Sequence, residues 1–227
     1  MHLIIGNKMY SSWSLRPWLL MKVLGIPFAE TVIPLDQPDS KRNLLEHSPS
    51  GKVPLLIDDS VRVWESIAII EYLAEKFPSA GVWPKDQKMR AHARAVSSEM
   101  HAGFAALRQA CPMNLGRKFK SKPLSADVMR DVARIETIFQ EARSKFGASG
   151  PFLYGSFSAA DAMFAPVITR FDTYQVGVGD VTKAYMATIL GLSQYREWRL
   201  AALKEPWHLP DYEAGWDIAE SYITQRN

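Results

Sequence analysis

The hydrophobic pattern in the first third of the chain alternates between short apolar runs and segments with a helical period. Apolar runs typical of buried strands lie at residues 2–6, 28–36, 53–59 and 61–65. Helical periodicity is clear at residues 15–25 and 66–77, and residues 41–49 predict a short helix or an irregular turn. Because a strand–helix–strand unit needs a parallel pair and the closing hairpin adds antiparallel strands, we expect a small mixed sheet with helices on its faces.

Signals for the ends of helices refine the two strong helices of this half. Pro17 is expected in the first turn of the first helix, where its missing N–H does no harm. Gly25 is expected to end that helix. Ser66 is expected to cap the start of the second helix.

The periodicity changes after a turn-rich segment, "PSAGVWPKDQ", which predicts a linker at 79–87. Long helical patterns follow at residues 88–110, 125–146 and 158–174, with shorter ones at 181–190 and 194–203. The basic stretch at 116–123 is predicted to be a solvated loop. The expected organisation is an α/β domain at 1–78, the linker, and an all-α domain at 88–227.

Composition and charge exclude several classes of protein. The 227 residues are 47% hydrophobic and 22% charged, with a net charge of +3. The hydrophobic and charged fractions are typical of a globular protein, and the net charge is too small for a protein that binds nucleic acid. No apolar run is as long as a membrane span, and no signal-peptide pattern opens the chain, so we expect a cytoplasmic protein without membrane contact. The single cysteine, Cys111, rules out an intrachain disulfide and a thiolate zinc cluster, and the spacing of the histidines predicts no metal site.

The segment "MYSSWSLRPWLL" at residues 9–20 concentrates hydroxyl groups at a strand-to-helix junction. Ser11, Ser12 and Ser14 are either ordinary helix caps or part of a site that holds an anion, with Ser14 favoured as the cap. Arg16 is placed either to orient an acidic group or to bridge within the fold.

A second segment, "SGKVPLL" at residues 50–56, has a proline at the start of a strand. If the Val53–Pro54 bond is cis, the backbone N–H and C=O of Val53 are offered to an extended peptide alongside. The alternative is an ordinary proline in an edge strand.

Two further segments lie at predicted helix starts. In "WESIAIIEYL", the Ser66 hydroxyl and the first-turn N–H groups favour an anion, and Glu65 favours an ammonium group, so together they suit the zwitterionic end of an amino acid. The alternative for Ser66 is a simple cap. In "SAADAMFAP", Ser158 and Asp161 have the spacing of a capping box, which is a folding signal.

Together these segments resemble the cytosolic glutathione S-transferases over nearly the whole chain. "SGKVPLL" is similar to the family's cis-proline segment, "ESIAIIEYL" to its γ-glutamyl-binding motif, and "SAADAMFAP" to the capping box of its central helix. "SSWSLRPWLL" is similar to the serine-rich segment of the zeta class, which includes maleylacetoacetate isomerase, although Trp13 stands where zeta-like sequences have a cysteine. The resemblance implies a bacterial, serine-type member with a thioredoxin-like N-terminal domain, an all-α C-terminal domain, a homodimer and a role in detoxification.

The resemblance also implies roles for individual residues. The residues expected to face the thiol are Ser11 and Ser12, and those expected to bind glutathione are Trp13, Lys41, Lys52, Val53, Pro54, Glu65 and Ser66. Glu65 and Ser66 would bind the γ-glutamyl group, Val53 the cysteinyl backbone, and the two lysines the glycine carboxylate. The hydrophobic second substrate is expected against Met100, Phe104, Leu107 and Arg108, although Phe104 and Leu107 suit the core equally well.

The expected function is glutathione transfer to a small hydrophobic electrophile, with glutathione as co-substrate and no metal. A serine hydroxyl at a helix N-terminus favours the thiolate, which is the nucleophilic form of the thiol. Two alternatives remain open. One is glutathione-dependent cis–trans isomerisation in the manner of maleylacetoacetate isomerase, and the other is a non-catalytic glutathione-binding or interaction module.

Overall fold

The N-terminal part of the chain forms a four-stranded mixed sheet with three helices in the computed structural model, which describes residues 1–223. The elements are β1 (His2–Ile5), α1 (Ser12–Val23), β2 (Ala29–Val32), α2 (Ser40–His47), β3 (Leu55–Asp58), β4 (Val61–Trp64) and α3 (Ser66–Lys76). The strand order is β2-β1-β3-β4, with β1 parallel to β2 and antiparallel to β3, and β3 antiparallel to β4. The predicted mixed sheet is confirmed.

Helix α1 starts earlier than its periodicity indicates. Its N-cap is Ser11, whose Oγ accepts a hydrogen bond from the backbone N–H of Ser14 at 3.4 Å. The prediction of Ser14 as the cap is therefore wrong, because the helical turn already includes the serines that precede it. Pro17 lies in the second turn instead of the first for the same reason.

The predicted end of α1 at Gly25 is confirmed. Gly25 has a left-handed φ of 68°. The N–H of Gly25 donates to the carbonyl of Lys22, and the N–H of Ile26 donates to the carbonyl of Met21 at 2.9 Å. This pair of bonds is the Schellman arrangement, which satisfies carbonyls that the end of a helix leaves free.

Helices dominate the C-terminal part of the chain. They are α4 (Gln87–Ala102), α5 (Ala105–Ala110), α6 (Ala126–Phe146), α7 (Ala159–Thr173), α8 (Asp180–Gly191) and α9 (Ser193–Ala202). The single helix predicted over 88–110 is wrong, because Phe104 adopts a left-handed φ of 57° that ends α4 and redirects the chain into α5. Among the described helices, none combines the length and the apolar character that crossing a membrane requires.

Helix α7 lies at the centre of the molecule, and nearly all of its residues are buried. The predicted capping box is confirmed, since the Asp161 carboxylate accepts hydrogen bonds from the Ser158 backbone N–H at 2.9 Å and from the Ser158 hydroxyl at 3.1 Å. Helix α1 packs against α7, so the sheet and the helical part share one hydrophobic core.

Buried polar contacts also join the two parts. Glu205, which follows α9, accepts hydrogen bonds from the backbone N–H groups of Lys8 at 2.7 Å and Met9 at 3.0 Å. The indole Nε1 of Trp198 donates to the Lys8 carbonyl at 2.9 Å. The loop that leads into α1 is therefore held from the helical side.

A second, two-stranded sheet was not predicted. Strand β5 (Arg117–Phe119) pairs antiparallel with β6 (Ile218–Ser221), a partner about a hundred residues away in the sequence. The prediction of a solvated loop at 116–123 is wrong for β5, because Phe119 is fully buried and stacks on Tyr174 with ring centroids 5.0 Å apart.

Candidate active site

Two joined cavities open between the sheet and the helical part, beside the N-terminus of α1. The larger has a volume of about 390 Å³ and is lined by Tyr10, Ser11 and Ser12 on one side and by Arg170 and Tyr212 on the other. The smaller has a volume of about 250 Å³, and its wall includes Pro54, Glu65 and His101. The boundary between them is shared by Trp13, Lys52, Val53 and Arg108.

The three serines at the start of α1 have different surroundings. The Ser11 hydroxyl donates to Ser14 Oγ at 2.7 Å, and Ser14 Oγ also accepts the Gly6 N–H at 3.0 Å. The Ser12 Oγ instead accepts a hydrogen bond from Arg170 Nη2 at 3.3 Å. The proton of Ser11 is thus committed to Ser14, whereas the Ser12 hydroxyl proton has no acceptor within residues 1–223.

The segment before β3 lines both cavities. The Val53–Pro54 peptide bond is cis, as one of the two sequence-based alternatives proposed. Lys52 is exposed and lines both cavities together with Val53. Lys41 is exposed on α2 and is not among the residues that line either cavity.

Ser66 has an unpaired hydroxyl at the start of α3, although only its neighbour Glu65 is among the residues that line the smaller cavity. The N-cap of this helix is Glu65, with a left-handed φ of 69°, so the prediction of Ser66 as the cap is wrong. Ser66 Oγ is buried and has no hydrogen-bond partner in the described part of the chain. A buried hydroxyl without a partner, next to the free N–H groups of a helix N-terminus, is an arrangement that favours an anionic ligand.

Trp13 and His101 form the wall between Glu65 and the serines. The Trp13 ring lies 4.1 Å from the guanidinium carbon of Arg16 and meets the His101 ring edge-on at 5.2 Å. His101 Nε2 is 3.6 Å from a carboxylate oxygen of Glu65. Burial lowers the pKa of His101, against the opposing effect of Glu65, so the imidazole is neutral at neutral pH.

Arg16 and Arg108 lie against the Trp13 ring, Arg170 is close to Arg16, and no salt bridge to a carboxylate is found for any of the three in the described residues. Arg16 is fully buried, and its two terminal nitrogens have no hydrogen-bond partner within residues 1–223. Burial lowers the pKa of Arg16 strongly, and the charges of Arg170 and Arg108 act in the same direction. Burial also lowers the pKa of Arg170 to about 10. The uncompensated positive charge makes this side of the cavity attractive to anions.

The predicted wall for the second substrate is only partly found. Arg108 lines both cavities. Met100, Phe104 and Leu107 are buried in the hydrophobic core and line neither cavity. Apolar side chains at the larger cavity come instead from Leu35, Leu44, Pro112 and Met113.

Three residues of the site were missed from the sequence: Arg170, Tyr212 and His101. Arg170 and Tyr212 lie more than 150 residues from the serines that they face, so no local spacing connects them. His101 sits near the end of α4, and its position one helical turn before the break was hidden when that helix was extended to residue 110. Within the described residues, no group of His, Cys, Asp or Glu side chains is arranged to hold a metal ion.

Comparison with protein families shows which family the chain belongs to. The family model for "Glutathione S-transferase, N-terminal domain" matches residues 10–76, and that for "Glutathione S-transferase, C-terminal domain" matches residues 90–201. The chain belongs to the glutathione S-transferase family. It is 29% identical over 161 residues to a probable maleylacetoacetate isomerase of Caenorhabditis elegans, covering 69% of this chain and 72% of that protein. It is 32% identical over 163 residues to the glutathione S-transferase-like protein OpS6 of Beauveria bassiana, covering 66% and 72%.

Solved structures share the fold of this transferase. A Burkholderia glutathione transferase homologue with bound glutathione superposes with a TM-score of 0.68 at 20% identity, covering 90% of this chain and 98% of the other. A bacterial zeta-class maleyl pyruvate isomerase gives the same TM-score at 19% identity, covering 91% and 99%. The predicted architecture, a thioredoxin-like domain followed by a helical domain, is confirmed.

Proposed function

We propose that this transferase binds glutathione across the two cavities and holds its thiol at the start of α1. The observation that carries the proposal is the buried, unpaired Ser66 hydroxyl at the N-terminus of α3, next to Glu65. A γ-glutamyl group has the carboxylate and the ammonium group that these two side chains suit. Val53 then pairs with the cysteinyl backbone, and Lys52 attracts the glycine carboxylate. The presence of glutathione in a structural neighbour supports this assignment.

The thiol is activated by Ser12 in this proposal. A free thiol has a pKa of about 8.5, and lowering it by two units requires a preference for the thiolate of about 2.7 kcal/mol. A hydrogen bond to a charged group supplies roughly 1.5–3 kcal/mol, and a helix N-terminus adds up to about 1 kcal/mol. Ser12 is favoured over Ser11 because its hydroxyl proton is uncommitted and Arg170 lies behind its oxygen.

The thiolate then attacks a small electrophile in the larger cavity, beside Tyr10, Pro112 and Met113. The carbon–sulfur bond forms as the electrophile releases its leaving group or accepts the electron pair. Such conjugation is the chemistry of detoxification, which we propose as the biological role. A homodimer and a cytoplasmic location remain predictions.

A second candidate function, cis–trans isomerisation, is favoured by the three arginines. Arg108 and Arg170 line the larger cavity, and neither these two nor the buried Arg16 has a carboxylate partner in residues 1–223, so an acidic substrate in the cavity would supply one. Two similar proteins are named as isomerases of maleyl compounds. In this reaction the thiolate adds to a carbon–carbon double bond, the resulting single bond rotates, and the thiolate leaves unchanged.

The decisive experiment compares Ser12→Ala with Ser11→Ala. Ser12→Ala is expected to raise the pKa of bound glutathione by one to two units and to lower conjugation at pH 6.5 about tenfold or more. Ser11→Ala is expected to leave that pKa unchanged and to cost about 1 kcal/mol of stability, because it removes a helix cap. Thiolate absorbance titration and thermal unfolding measure the two effects. If neither variant raises the thiol pKa, the mechanism is wrong, and the opposite pattern assigns the role to Ser11.

The transferase and isomerase alternatives differ in whether glutathione is consumed. An isomerase converts a cis-dicarboxylate such as a maleyl ketone to its trans isomer with no loss of free glutathione, whereas a transferase consumes one glutathione per product. Binding of glutathione without turnover of either an electrophile panel or the cis-substrate would indicate a non-catalytic binding module.

A further inference from the structure

His101 and Glu65 meet in the wall of the smaller cavity, although they come from different parts of the chain. His101 lies in the last turn of α4, and Glu65 is the N-cap of α3. The His101 Nε2 atom is 3.6 Å from a Glu65 carboxylate oxygen. This distance is too long for a strong hydrogen bond, but it is short enough for an ion pair once the imidazole is protonated.

Several charged side chains face His101. They are Glu65 from α3, Arg16 from α1 and Arg108 from α5. Besides Glu65 and Arg108, Lys52 is the charged residue that lines the smaller cavity with His101. Burial has the largest effect and lowers the pKa of His101, Glu65 raises it, and the two arginines lower it further. The imidazole is therefore neutral at neutral pH and takes up a proton under mildly acidic conditions.

The second ring nitrogen of His101 is buried. This Nδ1 atom has no hydrogen-bond partner in the part of the chain that the structure describes. In the neutral ring, the proton is favoured on Nε2, which faces the Glu65 carboxylate, so Nδ1 carries a lone pair. Protonation adds an N–H at Nδ1 that finds no acceptor within residues 1–223. Among the charged groups that face His101, Glu65 is then the one anion with which an imidazolium can pair.

We propose that His101 controls the affinity for glutathione: its neutral ring leaves the Glu65 carboxylate to the ammonium group of the γ-glutamyl part, whereas its protonated ring pairs with Glu65 and repels that ammonium group. This inference rests on the proposed binding of the γ-glutamyl group beside Glu65 and Ser66. Two cations then compete for one carboxylate, so acidification releases the tripeptide. The coupling is reciprocal, because bound ligand must weaken proton binding to His101 by the same factor.

The test measures the binding of S-methylglutathione by calorimetry at pH 7.0 and pH 5.0. This ligand has no thiol to ionise and its ammonium group stays protonated, so its own titration does not contribute. The wild-type dissociation constant is expected to rise about threefold to tenfold on acidification, and that of His101→Gln to change less than about twofold. His92→Gln is the matched control and is expected to behave as wild type. His92 also lies on α4 and burial also lowers its pKa, but it bonds to Tyr154 and lines neither cavity.

A second readout uses wild type alone. The pKa of His101, followed by NMR through its ring protons, is expected to fall by about 0.5 to 1 when S-methylglutathione saturates the site. An unchanged or raised pKa, pH-independent binding by wild type, or the same pH dependence in His101→Gln would overturn the role of His101 while leaving glutathione binding intact. Loss of the pH dependence in His92→Gln would do the same. Failure of wild type to bind the ligand at pH 7.0 would overturn the proposed function and this inference with it.

Discussion

Among single residues outside the cavities, Asp161 combines a fully buried carboxyl group with several hydrogen-bond donors. Its buried carboxylate accepts hydrogen bonds from the Leu153 N–H at 3.1 Å, from Ser158, and from the Tyr185 hydroxyl at 2.9 Å. Burial nevertheless raises the pKa of Asp161 to about 6, with the hydrogen bonds acting in the opposite direction. The folded chain therefore holds this proton more tightly than the unfolded chain does.

This linkage predicts a pH-dependent stability. The contribution of Asp161 to the free energy of unfolding is fully present below about pH 4 and is lost as the pH rises through about 6. The stability difference between wild type and Asp161→Asn is expected to fall by up to about 3 kcal/mol between pH 4 and pH 7. Urea unfolding at several pH values measures it.

Asp180→Asn provides the control, because that side chain is fully exposed at the start of α8. Its stability difference from wild type is expected to stay nearly constant over the same range. A difference for Asp161→Asn that grows with pH would mean that the hydrogen bonds outweigh burial.

At the residue scale, the sequence predicts the role of a side chain when its partners are close along the chain, and it misses that role when the partners are distant. The Ser158–Asp161 box is recognisable because its two members are three residues apart. Arg16 and Arg170 are not, because arginine is seldom buried and several of their contacts come from distant parts of the chain. Arg16 Nε donates to the Met163 carbonyl at 3.1 Å, a contact that exists only because α1 packs on α7.

At the scale of an element, the end of α1 depends on Gly25. Its φ of 68° places it where an L side chain is strained, although no atom lies within 4 Å of an added Cβ. Gly25→Ala is therefore expected to cost about 1 kcal/mol through backbone strain alone. Thermal or urea unfolding measures the loss.

Gly191 is the matched control for Gly25. It is the last residue of α8, an added Cβ meets nothing within 4 Å, and its φ is not left-handed. Gly191→Ala is expected to be neutral or to stabilise by about 0.5 kcal/mol. Equal effects of the two substitutions would argue against the conformational explanation.

Element types were more predictable than element boundaries. Long periodic segments such as α6 and α7 follow directly from their apolar faces and caps. The break between α4 and α5 does not, since alanine and leucine continue the helical pattern on both sides of Gly103, and nothing in that pattern announces the left-handed backbone of Phe104. Strand β5 was missed because three residues carry too little pattern and its partner is distant.

At the scale of the whole molecule, Glu205 joins the helical part to the loop before α1. Glu205→Ala leaves the buried N–H groups of Lys8 and Met9 without their acceptor. Each such loss costs roughly 1–3 kcal/mol, so for the two N–H groups we expect about 2–6 kcal/mol of destabilisation. Because the two parts share one core, unfolding is expected to remain a single transition, followed by calorimetry.

Glu197→Ala is the corresponding control. Glu197 also joins the two parts, through Lys22 at 2.7 Å, but this pair is exposed. Its loss is expected to cost less than about 1 kcal/mol. A comparable loss in both variants, or two separate transitions for Glu205→Ala, would contradict the view that the parts are held by buried contacts.

Cys111, the only cysteine of the chain, lies fully buried, and its backbone carbonyl accepts a hydrogen bond from Arg170 at 2.9 Å. Burial also raises the pKa of its thiol to about 11, so almost none of it is ionised. Peroxides and alkylating reagents that enter the cavities therefore meet no sulfhydryl belonging to the protein. If the proposed mechanism holds, we expect activity under oxidising conditions to follow the supply of reduced glutathione, because no thiol of the protein takes part in it.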